Sequence, residues 1–325
     1  MHPETARALW IVGPGRAEIR PAAAPNPAPG EVGVRALQSG ISRGTEALVH
    51  AGRVPAGEWQ RMACPFQEGA FSFPVKYGYA MVGSIETGPR ERLGQRVFCL
   101  HPHQDRFTVP EDAALPVPDD VPTARAVLAS QIETALNATW DAAPRIGDRI
   151  AVVGGGSIGC LVAWLCACLP ATEITLVDID PARAPVADAL GCGFALAAGA
   201  PRGCDLVFHA SGTGAGLASA IDCAGFEAEL IELSWYGDVP VTVPLGGAFH
   251  SQRLTLRASQ VGTVAPARRS RRSRSARLTL ALALAADPRL DVLVRDASRF
   301  EGLPAELGRI LGRPGALMHR VLYGE

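Results

Sequence analysis

Apolar and polar positions fall into two regimes along this chain. From residue 149 onward, short continuous apolar runs alternate with longer apolar segments. Arg149-Ile-Ala-Val-Val, Glu173-Ile-Thr-Leu-Val and Asp205-Leu-Val-Phe-His-Ala have strand length and little polar alternation. Such runs come from strands covered on both faces. Between them, residues 157–168, 181–190 and 214–223 read as helices, the second opening on Pro181 and stopping at Gly191. Residues 229–233 and 254–258 read as further strands. This βαβαβ rhythm predicts a doubly wound parallel sheet.

The first 120 or so residues behave differently. Glu31-Val-Gly-Val-Arg-Ala-Leu alternates polar and apolar positions, and residues 94–100 form a second strand entered through glycine. Pro and Gly are dense, above all over residues 21–30, so a β-rich, loop-heavy unit is expected. A helical stretch starts near Pro122 and runs through Ala135 towards Trp140. The tail from Ala267 is helical first and ends in a strand over residues 318–323.

Composition narrows the function classes. A length of 325 residues suits two domains, and a hydrophobic fraction of 48% supports a sizeable core. A formal net charge of -1 argues against a general nucleic-acid or membrane-surface role. The N-terminus carries no basic segment followed by an apolar run, and no apolar stretch reaches the ~20 residues of a spanning helix. A cytoplasmic protein is expected. Its eight cysteines sit in apolar segments with no Cys-x-x-Cys pair, and read as reduced core residues.

The sharpest motif is Gly154-Gly155-Gly156-Ser157-Ile158-Gly159, placed between an apolar strand and an apolar helix. Gly154 permits the tight turn, Gly156 lets backbone approach a pyrophosphate, and Gly159 lets helix and sheet pack closely. The helix start then offers N–H groups to phosphate. Asp178 closes the second strand, 19 positions after Gly159, where a carboxylate reaches ribose hydroxyls. NAD is therefore the expected cofactor. Asp178 could instead cap the next helix, although Asp180 is also available. Arg183 either covers the adenine ribose or is solvated.

Several segments, in order, resemble the medium-chain dehydrogenase/reductase superfamily. Pro27-Ala-Pro-Gly-Glu-Val-Gly-Val-Arg resembles its opening strand, and Ser39-Gly-Ile-Ser-Arg-Gly-Thr-Glu its first catalytic loop. Tyr77-Gly-Tyr-Ala-Met-Val-Gly-Ser-Ile resembles the segment that normally reads Gly-His-Glu, and Gly94-Gln-Arg-Val its Gly-Asp-Arg-Val turn. The first catalytic loop is also similar to that of the bacteriochlorophyllide hydroxyethyl dehydrogenase branch, one motif that assigns no substrate. The resemblance implies a GroES-like catalytic domain over 1–128, a Rossmann domain over 129–263, and a segment over 264–325 returning to the catalytic domain. It implies a homo-oligomer, expected as a dimer, acting on a small-molecule substrate. Thr134, Ser211 and Leu233 complete the candidate cofactor-binding set with the glycine loop, Asp178 and Arg183.

The departures from the family are as informative. Alignment puts Arg43, Tyr79 and Ala80 where zinc members carry Cys, His and Glu, and Ser130 near the third ligand, with Glu133 close by. Neither Arg nor Ala ligates Zn²⁺, and neutral Tyr and Ser are poor ligands. The four-cysteine structural lobe is missing after Asp105. A zinc-independent member is expected, with no metal site. His101-Pro-His103 could revive a metal, since i and i+2 on a strand share a face, but no third ligand lies in sequence reach. Without zinc a side chain must handle the proton. The candidates are Tyr79, Glu46, Thr45, His101 and His103. Tyr79 could alternatively pack beside Tyr77, and Glu46 could pair with Arg43 or Arg53.

The run Arg268-Arg-Ser-Arg-Arg-Ser-Arg-Ser-Ala-Arg277 fits an RNA contact or an anionic-substrate clamp. Near-neutral total charge favours a solvated helix start, so nucleic acid is not the expected partner. The reading is an NAD(H)-dependent oxidoreductase working on an alcohol/carbonyl pair without zinc. Its rivals are an NADPH-dependent enoyl or quinone reductase, and a non-catalytic nucleotide- or RNA-binding protein.

Overall fold

The computed structural model describes residues 5–23, 25–313 and 316–324. Residues 1–4, where the reading of the N-terminus begins, lie outside the described residues. The chain forms two compact units, one of residues 1–130 with 282–325 and the other of residues 131–281.

The second unit is built on a parallel sheet of strands β1 (Arg149–Val153), β2 (Glu173–Val177), β3 (Gly193–Ala195), β4 (Cys204–His209), β5 (Ala224–Glu232) and β6 (Thr255–Ala258). Their spatial order is 3-2-1-4-5-6, every pair parallel. That order is the doubly wound Rossmann arrangement, whose ligand crevice lies outside the carboxyl ends of the strands. The apolar runs become central strands because both faces are covered. Val153, Val177, Val207 and Leu230 pack with Ala220 and Ile221 of helix Gly214–Cys223. Each large apolar side chain so buried contributes roughly 1.5–3 kcal/mol. Helix α1 (Ser157–Ala167) buries nearly its whole circumference, Trp164 included, as its continuous apolar sequence requires. Residues 181–190 begin as a tight 3₁₀ turn over Pro181–Arg183 before helix Ala184–Ala189, with Asp180 capping through the Ala182 N–H.

The first unit is β-rich. Strand Glu31–Ile41 is central, flanked by Met81–Thr87, Arg106–Pro110 and His319–Leu322, all antiparallel to it. Its alternation puts Val32, Val34 and Ala36 into a core with Met81, Ile85, Val97 and Phe107. The last segment of the chain joins this unit. Helix Leu303–Gly312 lays Leu303, Leu307, Ile310 and Leu311 against Leu9, Ile41 and Val321. This is the GroES-like β-rich partner of a Rossmann sheet.

The chain leaves the second unit after Ala281, not at residue 264. The physical reason is Arg277, the last arginine of the basic run. It is 1% exposed, bonds Glu133 at 3.0 Å, and also donates to Asn137 Oδ1 and the Val261 carbonyl. That buried pair fixes residues 264–281 to the second unit, so Arg277 is a core residue rather than part of a solvated run. Among the described residues, no helix is long and apolar enough to cross a membrane. Among the described residues, no disulfide forms.

Candidate functional site

Two groups of residues carry candidate chemistry, one in each unit. In the second unit, β1 ends at Val153 and the chain turns through Gly154, whose φ of +110° only glycine adopts readily. A side chain there would also collide with the backbone of Ala210 and Ser211. Gly159, inside the first turn of α1, leaves room for the Gly154 carbonyl. Gly156 is different. A Cβ built on it meets no protein atom within 4 Å. Its place in the motif therefore answers no packing demand of the chain itself and fits a ligand approached by backbone. No side chain caps the start of α1, which leaves its first N–H groups to a bound anion. Ser157 and Ile158, half-buried, open that helix.

Asp178 reaches the loop directly. One carboxylate oxygen accepts the Gly155 N–H at 2.6 Å, and the other accepts the Asp180 N–H at 2.9 Å. A carboxylate has about four acceptor sites, so both oxygens can still take ribose hydroxyls. Asp178 is not the helix cap, a job Asp180 performs. Arg183 is 7% exposed, lies 3.6 Å from Asp180, and packs its stem beside Gly155. It is not solvated, and its Nε is buried without a hydrogen-bond partner. Loop glycines, an uncapped helix start, a carboxylate with spare acceptors and an orphaned guanidinium nitrogen together fit a nicotinamide dinucleotide. Ser211 and Leu233 follow β4 and β5, and the Leu233 N–H bonds the His209 carbonyl at 2.9 Å. Thr134 is half-buried on helix Ala129–Ala142.

In the first unit, Glu46 and His103 are brought together. His103 Nε2 lies 3.1 Å from Glu46 Oε2, and its Nδ1 lies 2.7 Å from Ser39 Oγ. A carboxylate only accepts, so Nε2 carries the proton and Nδ1 accepts from Ser39. Tyr323 O–H continues the chain to Ser39 at 3.0 Å. Glu46 also accepts the Ser42 N–H at 2.7 Å. Both His103 and Glu46 are nearly inaccessible, at 1% and 4%. Tyr79 is half-buried, and its hydroxyl donates to Ser42 Oγ at 2.6 Å. Burial, partly offset by hydrogen bonds to Ser42 and Thr45, pushes its phenol up to about 12. Tyr77 packs edge-on to it at 6.0 Å.

His101 and His103 do not lie on a strand. The strand stops at Cys99, the His101 N–H bonds back to the Cys99 carbonyl, and Pro102 follows outside any strand. His101 stacks on Phe107 at 3.8 Å, and burial lowers its imidazole to about 3. Lys76, a conceivable partner for Tyr79, is buried and bonds Glu68 and Gln104 instead. Among the described residues, no group of three His, Cys, Asp or Glu is placed to hold a metal. Ser39, Ser42 and Tyr323 were not among the candidates read from the sequence, because four separate segments converge here and no spacing marks them.

No family model matches the chain. An L-threonine 3-dehydrogenase of Mesorhizobium japonicum is 29% identical over 102 residues, 31% of this chain and 29% of that protein. The zinc-type alcohol dehydrogenase-like protein YdjJ of Escherichia coli is 33% identical over 82 residues, 25% of this chain and 24% of that one. The matches thus span less than a third of these curated relatives. Structural likeness is broader. A zinc-binding dehydrogenase from Sinorhizobium meliloti bound to NADP has TM-score 0.77 at 15% identity, over 98% of this chain and 99% of that one. An E. coli alcohol dehydrogenase complexed with NADH has 0.75 at 16%, with 98% and 99% covered. The 2R,3R-butanediol dehydrogenase of Bacillus subtilis has 0.75 at 18%, again with 98% and 99% covered. The chain has the fold of these dehydrogenases.

Proposed function

We propose that this chain is a cytoplasmic, homo-oligomeric NAD(H)-dependent oxidoreductase that interconverts a small alcohol and its carbonyl without a catalytic zinc. The observation that carries the cofactor reading is Asp178, placed against the glycine loop with acceptor capacity to spare. Such a carboxylate bonds a ribose diol and repels a 2′-phosphate. When bound, the nicotinamide supplies or accepts the hydride. The chain's own residues hold it by the N–H groups at the start of α1, by Asp178 and by Arg183. An NADPH reading has one specific point in its favour, the orphaned Arg183 Nε beside Gly155.

The zinc-free reading rests on donor chemistry. Arg43, Tyr79 and Ala80 stand at the aligned ligand positions, and Arg43 donates to the Leu311 carbonyl at 3.1 Å. Tyr79 then serves as general acid. A phenol near 12 stays protonated at neutral pH and suits delivering a proton to a developing alkoxide, which favours reduction. Thr45 and Ser42 orient that hydroxyl. His103 and Glu46 hydrogen-bond one another and act as support beneath the loop.

Fluorescence titration with NADH and NADPH tests the cofactor. Tighter NADH is expected, and tighter NADPH would transfer the argument to Arg183. Elemental analysis of protein purified without a metal-affinity tag tests the zinc reading. One zinc per chain would overturn it.

A further inference from the structure

A second buried polar array stands beside the glycine loop, at the ends of β4 and β5. His209 is the last residue of β4 and is 0% exposed. It pairs in register with Val153 of β1 on one side and with Glu232, the last residue of β5, on the other. Its Nδ1 lies 2.8 Å from Glu232 Oε2, and its Nε2 lies 2.6 Å from Ser211 Oγ. The carboxylate fixes the tautomer, so Nδ1–H donates to Glu232 and Nε2 accepts from Ser211. Burial alone would raise the Glu232 carboxyl, but hydrogen bonds from His209 and Ser234 hold it below the usual range.

The array ties two loops together. Ser211 Oγ accepts the Thr213 N–H at 3.3 Å and lies 3.1 Å from Thr213 Oγ1. Thr213 caps helix α2 (Gly214–Cys223). Glu232 accepts the Ser234 N–H at 2.7 Å and the Tyr236 hydroxyl at 3.0 Å. The Gly212 N–H closes the loop pair by donating to Ser234 Oγ at 3.1 Å. Glycine at 216 makes room, since a Cβ there would collide with Ser211 and press on His209. The Ser211 side chain therefore points under α2, while its backbone N sits against Gly154.

Strand order says what that backbone faces. With an adenosine at Asp178 just past β2 and a pyrophosphate at the β1 loop, a dinucleotide continues over the ends of β4 and β5. We propose that Glu232, His209 and Ser211 form a positioning array that holds the 210–213 backbone for the second nucleoside of the dinucleotide. The proposal rests on the dinucleotide reading above. These residues act through the backbone they fix. An imidazole without exposure must have its hydrogen bonds met. Here both ring nitrogens are met by the two loops that border the path.

The test compares ADP, which ends at the pyrophosphate, with NADH, measured by calorimetric titration of the full chain. Wild type binds both. His209→Leu should weaken NADH about tenfold or more, equal to ~1.4 kcal/mol, and leave ADP unchanged. It should also lose the fluorescence blue shift of bound NADH. Ser211→Ala, a smaller change, should move NADH in the same direction if His209→Leu folds poorly. Glu232→Gln keeps one oxygen for the Nδ1 proton but loses the acceptor for the Ser234 N–H, and should weaken NADH less than His209→Leu does. Unchanged NADH affinity in both His209→Leu and Ser211→Ala overturns the array, as does equal loss of ADP and NADH. Wild type that binds neither ligand sinks the dinucleotide reading itself, and this array with it.

Discussion

The glycine loop and the Tyr79 region make opposite use of the chain. The loop is local: one hexapeptide and one acid 19 positions on supply most of the binding features. Its work is done by backbone, so the residue types are dictated by space and φ. The Tyr79 region is assembled from residues 39–46, 77–79, 103 and 323, and its work is done by side chains. The contrast teaches that a site made by backbone geometry leaves a spacing in the sequence, whereas a site made by convergence leaves none.

The largest effect should come from the convergent region. Tyr79→Phe keeps the ring and removes the hydroxyl, and should cut turnover of a carbonyl substrate ~10²–10⁴-fold. NADH affinity and melting temperature should stay at wild-type values. Turnover close to the parent would reduce Tyr79 to packing beside Tyr77 and erase the contrast.

Next in size is the buried pair that anchors residues 264–281. Arg277→Met leaves Glu133 buried and unpaired, and should cost about 3–5 kcal/mol in denaturant unfolding. Adding Glu133→Leu should recover much of that loss. No recovery would mean that Arg277 matters through Asn137 and the Val261 carbonyl instead.

The loop glycines sharpen the comparison from the other side. Gly159→Ala forces a methyl onto the Gly154 carbonyl and should destabilise by ~1–3 kcal/mol. Gly156→Ala meets no protein atom and should melt like the parent, yet weaken NADH about tenfold, or ~1.4 kcal/mol. Equal affinity in parent and Gly156→Ala would show that the open space is not ligand space.

A pH slope gives a further test. Burial lowers His101 to about 3 from an ordinary 6.5, so between these values the unfolded chain binds a proton that the folded chain does not. The stability from neutral His101 is complete above about 6.5 and falls as pH drops, by at most about 1.4 kcal/mol per pH unit. Calorimetry between pH 7 and 4.5 should give His101→Gln a shallower decline than the parent. Parallel declines would place the acid sensitivity elsewhere.

Much of the Rossmann unit was legible. Glu173–Val177 and Gly214–Cys223 fall where the apolar pattern put them, because apolar runs of that length bounded by turn residues have few other uses. Strand Gly193–Ala195 was not read, since three residues of Gly-Phe-Ala carry no pattern and join the sheet only through β2. The paired histidines were misread as one strand face, because Pro102 breaks the alternation that the i, i+2 rule needs. Arg277 looked like one more solvated arginine, since only the fold puts Glu133 within reach across 144 positions of sequence.

The sequence by itself determined the parallel order of alternating elements, the phosphate loop and the acid that follows it. Those depend on local rules: 3.6- and 2-residue periods, glycine's freedom at positive φ, and the distance from one strand end to the next. Only tertiary structure decided that His103 rests on Glu46, that Arg183 keeps an unpartnered nitrogen beside Gly155, and that His209 and Glu232 end neighbouring strands. Hydrogen bonds and desolvation act between groups brought together by folding, and separation along the chain does not encode which groups those will be.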